Sequence, residues 1–177
     1  MDRALMEKRL SELPLFQYEF FSPGELMFTE RVRAVCEREC PMYGKSWACP
    51  PAVGAVELCK DRCLLYEDVL MITSVAEVAD TANMEETLAT RGPHEELTRQ
   101  VKGMLLDCGA EEVMALSTEA CAHCERCTYP DAPCRRPDRM FPCVESHGIA
   151  VTDLAEKFGL DFMNAGMVIW FSLLFYR

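Results

Sequence analysis

The stretch DVLMITSVAEV, residues 68–78, opens the part of the chain that decides the fold. Its apolar and β-branched residues predict a strand. Residues 93–108 follow with apolar side chains at helical spacing, and Gly109 is placed to end that helix. The segment EVMAL, residues 112–116, predicts the next strand. A strand, a helix and a strand in this order indicate a right-handed crossover in an α/β layer.

The sequence on either side of this unit completes the predicted domain. Residues 167–175 are apolar on both faces, which predicts a strand in the centre of the sheet. Residues 1–21 predict an amphipathic helix followed by an aromatic patch. Further helices are predicted at 23–38, 55–65 and 151–158. With no internal repeat or linker, residues 1–177 are expected to form one α/β domain: a small sheet flanked by helices and cysteine-rich loops, at 36–63 and 121–143.

Composition and charge exclude several classes of protein. Half of the 177 residues are apolar, which argues against disorder. The net charge of -11 disfavours binding to nucleic acid and to anionic membrane surfaces. The most apolar run, residues 165–176, is about 12 residues long and too short to span a bilayer as a helix. The N-terminus has no apolar segment of the signal-peptide type, so a cytoplasmic location is predicted.

Eleven cysteines are the strongest chemical signal in the sequence. Disulfides are disfavoured in a reducing cytoplasm, and an odd number of thiols cannot pair completely. Thiols separated by two residues converge well on a metal. We therefore expect metal or cluster ligation, with a redox disulfide as the alternative.

Three cysteines in the second half of the chain follow the pattern C-x2-C-x2-C: Cys121, Cys124 and Cys127. This spacing lets three thiolates bind three irons of one [4Fe-4S] cubane. Cys134 is the nearest candidate for the fourth ligand, and Cys143 competes with it. Zinc is the rival metal, although its sites usually combine two separated C-x2-C pairs. His123 lies between the cysteines and is expected to remain outside the ligand set.

Arginines surround this triplet in an otherwise acidic chain: Arg126, Arg135, Arg136 and Arg139. A cubane with four thiolates is anionic, so nearby guanidinium groups would stabilise it. The alternatives are an ordinary solvated basic loop and a site that guides a small anionic substrate. Glu95 and Glu96 are expected on a solvated face of the helix at 93–108.

The first half of the chain has a second group of thiols, Cys36, Cys40 and Cys49, in the pattern C-x3-C-x8-C. Trp47 and Tyr43 are candidates to cover a cluster there and limit the access of water, and packing in the hydrophobic core is the alternative for each ring. Three cysteines leave one iron of a cubane open, unless Cys59 or Cys63 provides the fourth thiolate. The trio can also join the second group around one shared site.

The two motifs together resemble a known family. C-x3-C-P-x-Y-G-K-S-W-x-C-P-P starts at Cys36, and C-x2-C-x2-C-T-Y-P-D-A-P-C-R-x-P starts at Cys121. This pair is similar to a prokaryotic family of predicted metal-binding proteins, domain of unknown function 2284, over residues 31–176. The resemblance implies iron-sulfur clusters but no particular reaction. Its implied ligands are Cys36, Cys40, Cys49, Cys121, Cys124, Cys127 and Cys134.

Cys143 departs from the pattern of that family. It stands in PCVESHGI, where the family pattern PxxExxGI leads us to expect a small residue other than cysteine. An additional ligand, a redox partner and a chance thiol are the three interpretations of this residue.

Three functional hypotheses follow from these motifs. The first is a protein with one or two [4Fe-4S] clusters that passes electrons to a partner redox enzyme, with Trp47 and the arginines Arg126, Arg135 and Arg136 around the clusters. The second is an enzyme whose open iron binds and transforms a small anionic substrate. The third is a zinc-structured binding module without a redox role.

Overall fold

The computed structural model of the chain describes residues 1–160 and 166–177. The α-helices are α1 (Arg3–Leu10), α2 (Glu30–Glu39), α3 (Val56–Cys63), α4 (Met84–Ala89), α5 (Arg91–Asp107) and α6 (Val151–Phe158). The strands are β1 (Gln17–Phe21), β2 (Asp68–Glu77), β3 (Val113–Ser117) and β4 (Met167–Tyr176). Residues 161–165 lie within the predicted domain but outside the described part, and they include the first residue of the apolar run at 165–176.

The four strands form one antiparallel sheet in the order β1-β2-β4-β3. Strand β4 lies between β2 and β3 and pairs with both, so its predicted central position is confirmed. Because β2 and β3 both run antiparallel to β4, they run parallel to each other. The predicted strand-helix-strand unit therefore exists, but its crossover passes over an inserted strand. The sequence does not show this insertion, since β4 is the last element of the chain.

Side chains of the sheet alternate between two hydrophobic clusters, as the pleat requires. Met71 and Leu173 point to the face covered by α3 and α6. Leu70 and Leu174 point to the opposite face, which α1 and α5 cover. Burial of each such side chain contributes roughly 1.5–3 kcal/mol. The described residues thus form one α/β domain with helices on both faces of the sheet.

A polar network within the core joins α5 to the sheet. His94, on α5, contacts the hydroxyl groups of Ser74 at 2.8 Å and Ser172 at 2.9 Å. Thr98 and Ser117 extend this network through the hydroxyl of Ser172, at 2.7 Å and 3.3 Å. Every one of these side chains is buried. Their mutual hydrogen bonds satisfy polar groups that would otherwise destabilise the core.

Two sequence-based predictions in the N-terminal part require correction. The aromatic patch after α1 forms β1, an edge strand that pairs with β2. The helix predicted at 23–38 is divided into a short 3₁₀ turn, Pro23–Glu25, and the separate helix α2. Ser22 and Glu25 form a capping box that satisfies the turn's first amides. Thr29 caps the start of α2. Leu26 and Thr29 have extended backbone, which separates the turn from the helix that the sequence suggests is continuous with it.

The fold brings the cysteine-rich loops together beside the end of β3. The chain leaves the sheet after Ser117 and enters the segment with Cys121, and it returns to form an isolated parallel bridge between Cys143 and Ser117. Helix α2 ends at Cys40, which starts the other cysteine-rich loop. In the described ranges, no helix has the length and apolar character needed to cross a membrane.

Candidate metal centre

The two cysteine-rich loops are joined through Trp47 and its neighbours. The indole N–H of Trp47 donates a hydrogen bond to the carbonyl of Ala132 at 3.0 Å. Its ring meets Tyr129 edge to face, with ring centres 4.9 Å apart. The amide of Cys143 donates to the carbonyl of Ala48 at 3.1 Å. Loop 40–54 and loop 121–143 therefore form one structural unit.

Four thiols line one cavity of about 240 Å³, which we call the first thiol pocket: Cys36, Cys40, Cys49 and Cys143. Cys36 lies on α2, Cys40 is the residue that ends this helix, and Cys49 is buried in the following loop. Cys143 comes from the other loop. Two carboxylates, of Glu119 and Glu145, border the same cavity.

Three thiols of this pocket, those of Cys36, Cys49 and Cys143, have raised pKa values and favour the protonated state in the absence of a metal. Burial raises the pKa of Cys36, and the neighbouring Cys40 raises it further. Burial and then Cys40 raise the pKa of Cys49 to about 12. Burial and Glu145 raise the pKa of Cys143 well above its ordinary value, and its thiol donates a hydrogen bond to Glu145 Oε2 at 2.7 Å. A bound cation would therefore have to displace these protons.

The two cysteines considered as the fourth ligand of this group, Cys59 and Cys63, do not line the pocket. Both are fully buried on α3. The Cys59 thiol donates to the carbonyl of Val53 at 3.5 Å and accepts from Arg62 Nη2 at 3.2 Å. Cys63 packs in the hydrophobic cluster with Phe21. Their i, i+4 spacing placed them on one helix face, but that face is directed into the core.

Four further thiols border a smaller pocket of about 20 Å³, which we call the second thiol pocket: Cys121, Cys124, Cys127 and Cys134. These are the triplet and the fourth cysteine expected from the sequence. Trp47 and His123 line the same pocket. The triplet also borders an open cavity of about 430 Å³ on its other side, together with Arg91 and Glu119.

Backbone amides surround the sulfur atoms of the second thiol pocket. Burial acts to raise the pKa of Cys127, but donors from Tyr129, Trp47, Ser46 and Thr128 outweigh it, and the pKa is lowered. The amide of Arg136 donates to the sulfur of Cys134 at 3.4 Å. Hydrogen bonds of this kind stabilise a thiolate and tune the potential of a bound metal centre.

The two pockets lie close together, although their described linings share no residue. The buried hydroxyl of Ser46 acts to lower the pKa of Cys49 in the first pocket and of Cys127 in the second. Cys49 and Cys121 also interact electrostatically. Ser46 lies within the first cysteine motif, but the motif does not show its closeness to Cys127, which depends on two loops meeting in space.

Arginines of the loop occupy different positions around the second thiol pocket. Arg135 and Arg136 line it. Arg126 is exposed and is not among the described lining residues; its carbonyl accepts a hydrogen bond from Arg135 Nη1 at 2.9 Å. His123 Nε2 lies 2.8 Å from the carbonyl of Arg139, so this ring nitrogen already has a partner.

A buried ion-pair network holds the triplet loop against α5. Glu95 is only 7% exposed and pairs with Arg91 at 3.0 Å and with Arg99 at 3.7 Å. The guanidinium of Arg91 also donates to the carbonyl of Ala120, next to the first cysteine of the triplet. His123 lies 3.5 Å from Glu95. The expectation that Glu95 is solvated is therefore wrong, because the triplet loop covers this part of α5.

The thiols of both pockets are chemically suitable ligands for an iron-sulfur cluster. Each pocket offers four thiols, and a cubane takes one thiolate at each of its four irons. The first thiol pocket also has the space; the second would have to widen, because about 20 Å³ corresponds to little more than one water-sized atom. Within residues 1–160 and 166–177, no group of three or more His, Cys, Asp or Glu side chains is placed to hold a single metal ion.

This fold and these two pockets define a cysteine-rich α/β protein with thiol sites suited to metal centres. The chain belongs to the family described as predicted metal-binding protein, DUF2284, whose model matches residues 19–176. Comparison with curated proteins found no match, and neither did comparison with solved structures.

Proposed function

We propose that this protein carries two [4Fe-4S] clusters and transfers electrons to a partner redox enzyme. The observation that carries the proposal is the grouping of eight cysteines into two pockets of four. A [4Fe-4S] cluster, when bound, takes up and releases one electron at a time. The proposed ligands are Cys36, Cys40 and Cys49 for one cluster, and Cys121, Cys124, Cys127 and Cys134 for the other.

The surroundings of the sulfur atoms support electron transfer over catalysis. Amide and hydroxyl donors at Cys127 and Cys134 stabilise negative charge on sulfur, which favours the reduced state of a bound centre. Arg135 and Arg136 add positive charge at the same pocket. Trp47 lines this pocket and limits its contact with water.

The closeness of the pockets suits the passage of electrons from one centre to the other. The hydroxyl of Ser46 acts on the pKa of Cys49 in one pocket and on that of Cys127 in the other. The two proposed clusters would therefore be neighbours. One centre would then receive the electron and the other would deliver it. The acidic surface of the protein, with a net charge of -11, would favour a partner with a basic docking patch.

An enzyme is the second candidate function, and the larger cavity favours it. The first thiol pocket has room for a small ligand beside the thiols. Its described lining residues include Glu119 and Glu145 but no arginine, whereas Arg135 and Arg136 line the other pocket. Guidance of an anionic substrate by the arginines would therefore act at the second thiol pocket.

A zinc-structured binding module is the third candidate, and the small volume of the second thiol pocket favours it. The four thiols border a space of about 20 Å³, close to the size of one ion, but among the described residues they are not placed to hold a single ion and would have to move together to bind zinc. The ring of donors at Cys127 would stabilise zinc thiolates equally well.

Reductive titration of anaerobically purified protein tests the proposal. We expect about two electrons per chain to be taken up, one per cluster, with the EPR spectrum of reduced cubanes. Reoxidation should restore the visible spectrum without loss of iron. A colourless protein that takes up no electrons and retains zinc would contradict electron transfer and leave the binding module.

Two double variants assign the electrons to the pockets. C36A/C40A should remove one electron and the features of one cluster, and C121A/C124A should remove the other. The variant C59A/C63A is the control, because it removes two thiols outside both pockets and should retain both electrons.

A further inference from the structure

We propose that Cys143 is the fourth thiolate ligand of the cluster in the first thiol pocket, so that no iron of this cluster is left open. This inference rests on the proposed function and deepens it. The matched motifs of the sequence contain only three cysteines for this site, and the candidates near them are Cys59 and Cys63.

The backbone fixes Cys143 between the sheet and the loop that contains Cys49. Ser117, the last residue of β3, donates its amide to the carbonyl of Pro142 at 3.0 Å and accepts from the amide of Val144 at 2.8 Å. These two hydrogen bonds enclose Cys143 in a parallel bridge to Ser117. The amide of Cys143 itself donates to Ala48, the residue before Cys49. Two separate segments therefore determine the position of this residue.

The side chain of Cys143 is directed at the cavity. It lines the first thiol pocket with Cys36, Cys40 and Cys49, and only 8% of the residue is exposed. It interacts electrostatically with Cys49, and its thiol is held by Glu145 at 2.7 Å. A thiol anchored at the wall of a cavity that three other thiols share is placed to complete a four-thiolate site.

The two competing cysteines, Cys59 and Cys63, make contacts elsewhere in the structure. Cys59 lies between the guanidinium groups of Arg62, at 3.2 Å, and Arg33, at 3.7 Å, and it donates to Val53. Cys63 belongs to the hydrophobic cluster on one face of the sheet. Either side chain would have to leave the packed interior of α3 to reach the first thiol pocket, whereas Cys143 already lines it.

The consequence concerns the chemistry of the site. With three thiolates, one iron of the cluster would exchange external ligands, as the open-iron enzyme requires. With Cys143 as the fourth, all four irons are held by the chain, which suits electron transfer without binding of a substrate to iron. Ligation of iron by Cys143 therefore distinguishes electron transfer from catalysis at an open iron.

Substitution of Cys143 by alanine, with C59A/C63A as the control, tests the inference. Wild type and variants are purified without oxygen and oxidised briefly with ferricyanide. A cubane held by three thiolates loses its unique iron under this treatment, so C143A should release about one iron per chain and give the EPR signal of a three-iron cluster. Wild type and C59A/C63A should give neither. A variant C143A that behaves like wild type overturns the inference, as does the three-iron signal in wild type itself.

Alkylation of the unmodified protein provides a measurement that does not depend on folding of the variant. Iodoacetamide is added before and after removal of iron by a chelator, and the labelled cysteines are identified by mass spectrometry. Cys143 should become reactive only after chelation, together with Cys36, Cys40 and Cys49. Equal reactivity of Cys143 in both samples overturns the inference. Absence of iron from freshly purified wild type overturns the proposed function as well. Equal reactivity of Cys143 in a protein that does contain iron overturns only the inference about Cys143.

Discussion

Cys49 and Cys127 lie in different thiol pockets, yet the sulfur atoms of both interact with one buried hydroxyl group, that of Ser46. Ser46 precedes Trp47, whose indole binds the second cysteine-rich loop. This arrangement makes the two pockets neighbours, although their cysteines are far apart in the sequence. It provides the most specific structural basis for the proposed transfer of electrons between two clusters.

Substitution of Ser46 by alanine should lower the reduction potential of one of the two clusters, because its hydroxyl has a single proton and donates it to one sulfur at a time. A hydroxyl that donates to a sulfur stabilises the reduced, more negative cluster, and a single hydrogen bond contributes about 0.5–1.5 kcal/mol. For a one-electron couple this corresponds to roughly 20–60 mV. EPR-monitored redox titration of S46A measures the shift. The exposed Ser11, whose hydroxyl bonds only to a helix carbonyl, gives the control S11A; equal potentials in S46A and wild type would contradict the assigned role.

Glu95 should stabilise the loop of the second thiol pocket. The variant E95Q leaves the buried Arg91 without its carboxylate partner, and loss of one member of a buried pair costs about 3 kcal/mol. We expect a lower free energy of unfolding in urea and faster loss of metal from the second thiol pocket. Glu7 offers a control, because it pairs with Arg3 through side chains that are both exposed on α1, outside this network. If E95Q and E7Q are equally stable, the network does not position the loop.

Arg135 and Arg136 should raise the potential of the cluster in the second thiol pocket. Both line this pocket and carry positive charge toward an anionic cluster. The double variant R135Q/R136Q should lower that potential and leave the potential of the other cluster nearly unchanged. Because both side chains are exposed, added salt should reduce the difference from wild type. The variant R31Q, at an exposed position on α2, serves as the control. If R31Q lowers the reduction potential of that cluster equally, the shift reflects the net charge of the protein and not the position of Arg135 and Arg136.

His94 should make the stability of the protein depend on pH. Burial lowers the pKa of this ring to about 4 in the folded state, from an ordinary value of 6.5. The unfolded chain therefore binds more protons between these values, and stability is complete above about pH 6.5 and falls as the pH drops towards 4. The loss attributable to His94 is about 3 kcal/mol at most. Urea unfolding at several pH values measures it; the variant H94Q should show a shallower decline, and an identical decline would contradict the assignment.

The sequence contained enough information for most of the fold. Apolar patterns located β2, β4, α5 and α6, because buried strands and amphipathic helices repeat with distinct periods. They missed β1, an edge strand in which Tyr18 and Phe20 are only partly buried and Phe21 alone is buried. They also could not show that β4 inserts between β2 and β3, since strand order depends on contacts between distant segments.

The site was partly predictable for a similar reason. Spacing within one loop identified the four thiols of the second thiol pocket, which the structure brings to one place. For the first thiol pocket, closeness in sequence pointed to Cys59 and Cys63, but Cys143 arrives from the opposite loop. Ser46 belongs to the first motif but was not distinguished within it, and Glu95 belongs to no motif; both are buried polar residues whose surroundings depend on the tertiary structure. The spacing of cysteines identifies ligands within one loop. A ligand that comes from another loop can be identified only from the tertiary structure.

Analysis of iron, acid-labile sulfide and zinc in protein purified without oxygen tests the central claim most directly. The two thiol pockets predict about eight iron and eight sulfide per chain, with no stoichiometric zinc. About four of each would mean that only one pocket holds a cluster, which would contradict the claim of two. Stoichiometric zinc without sulfide would contradict both clusters and would establish the protein as a zinc-structured module.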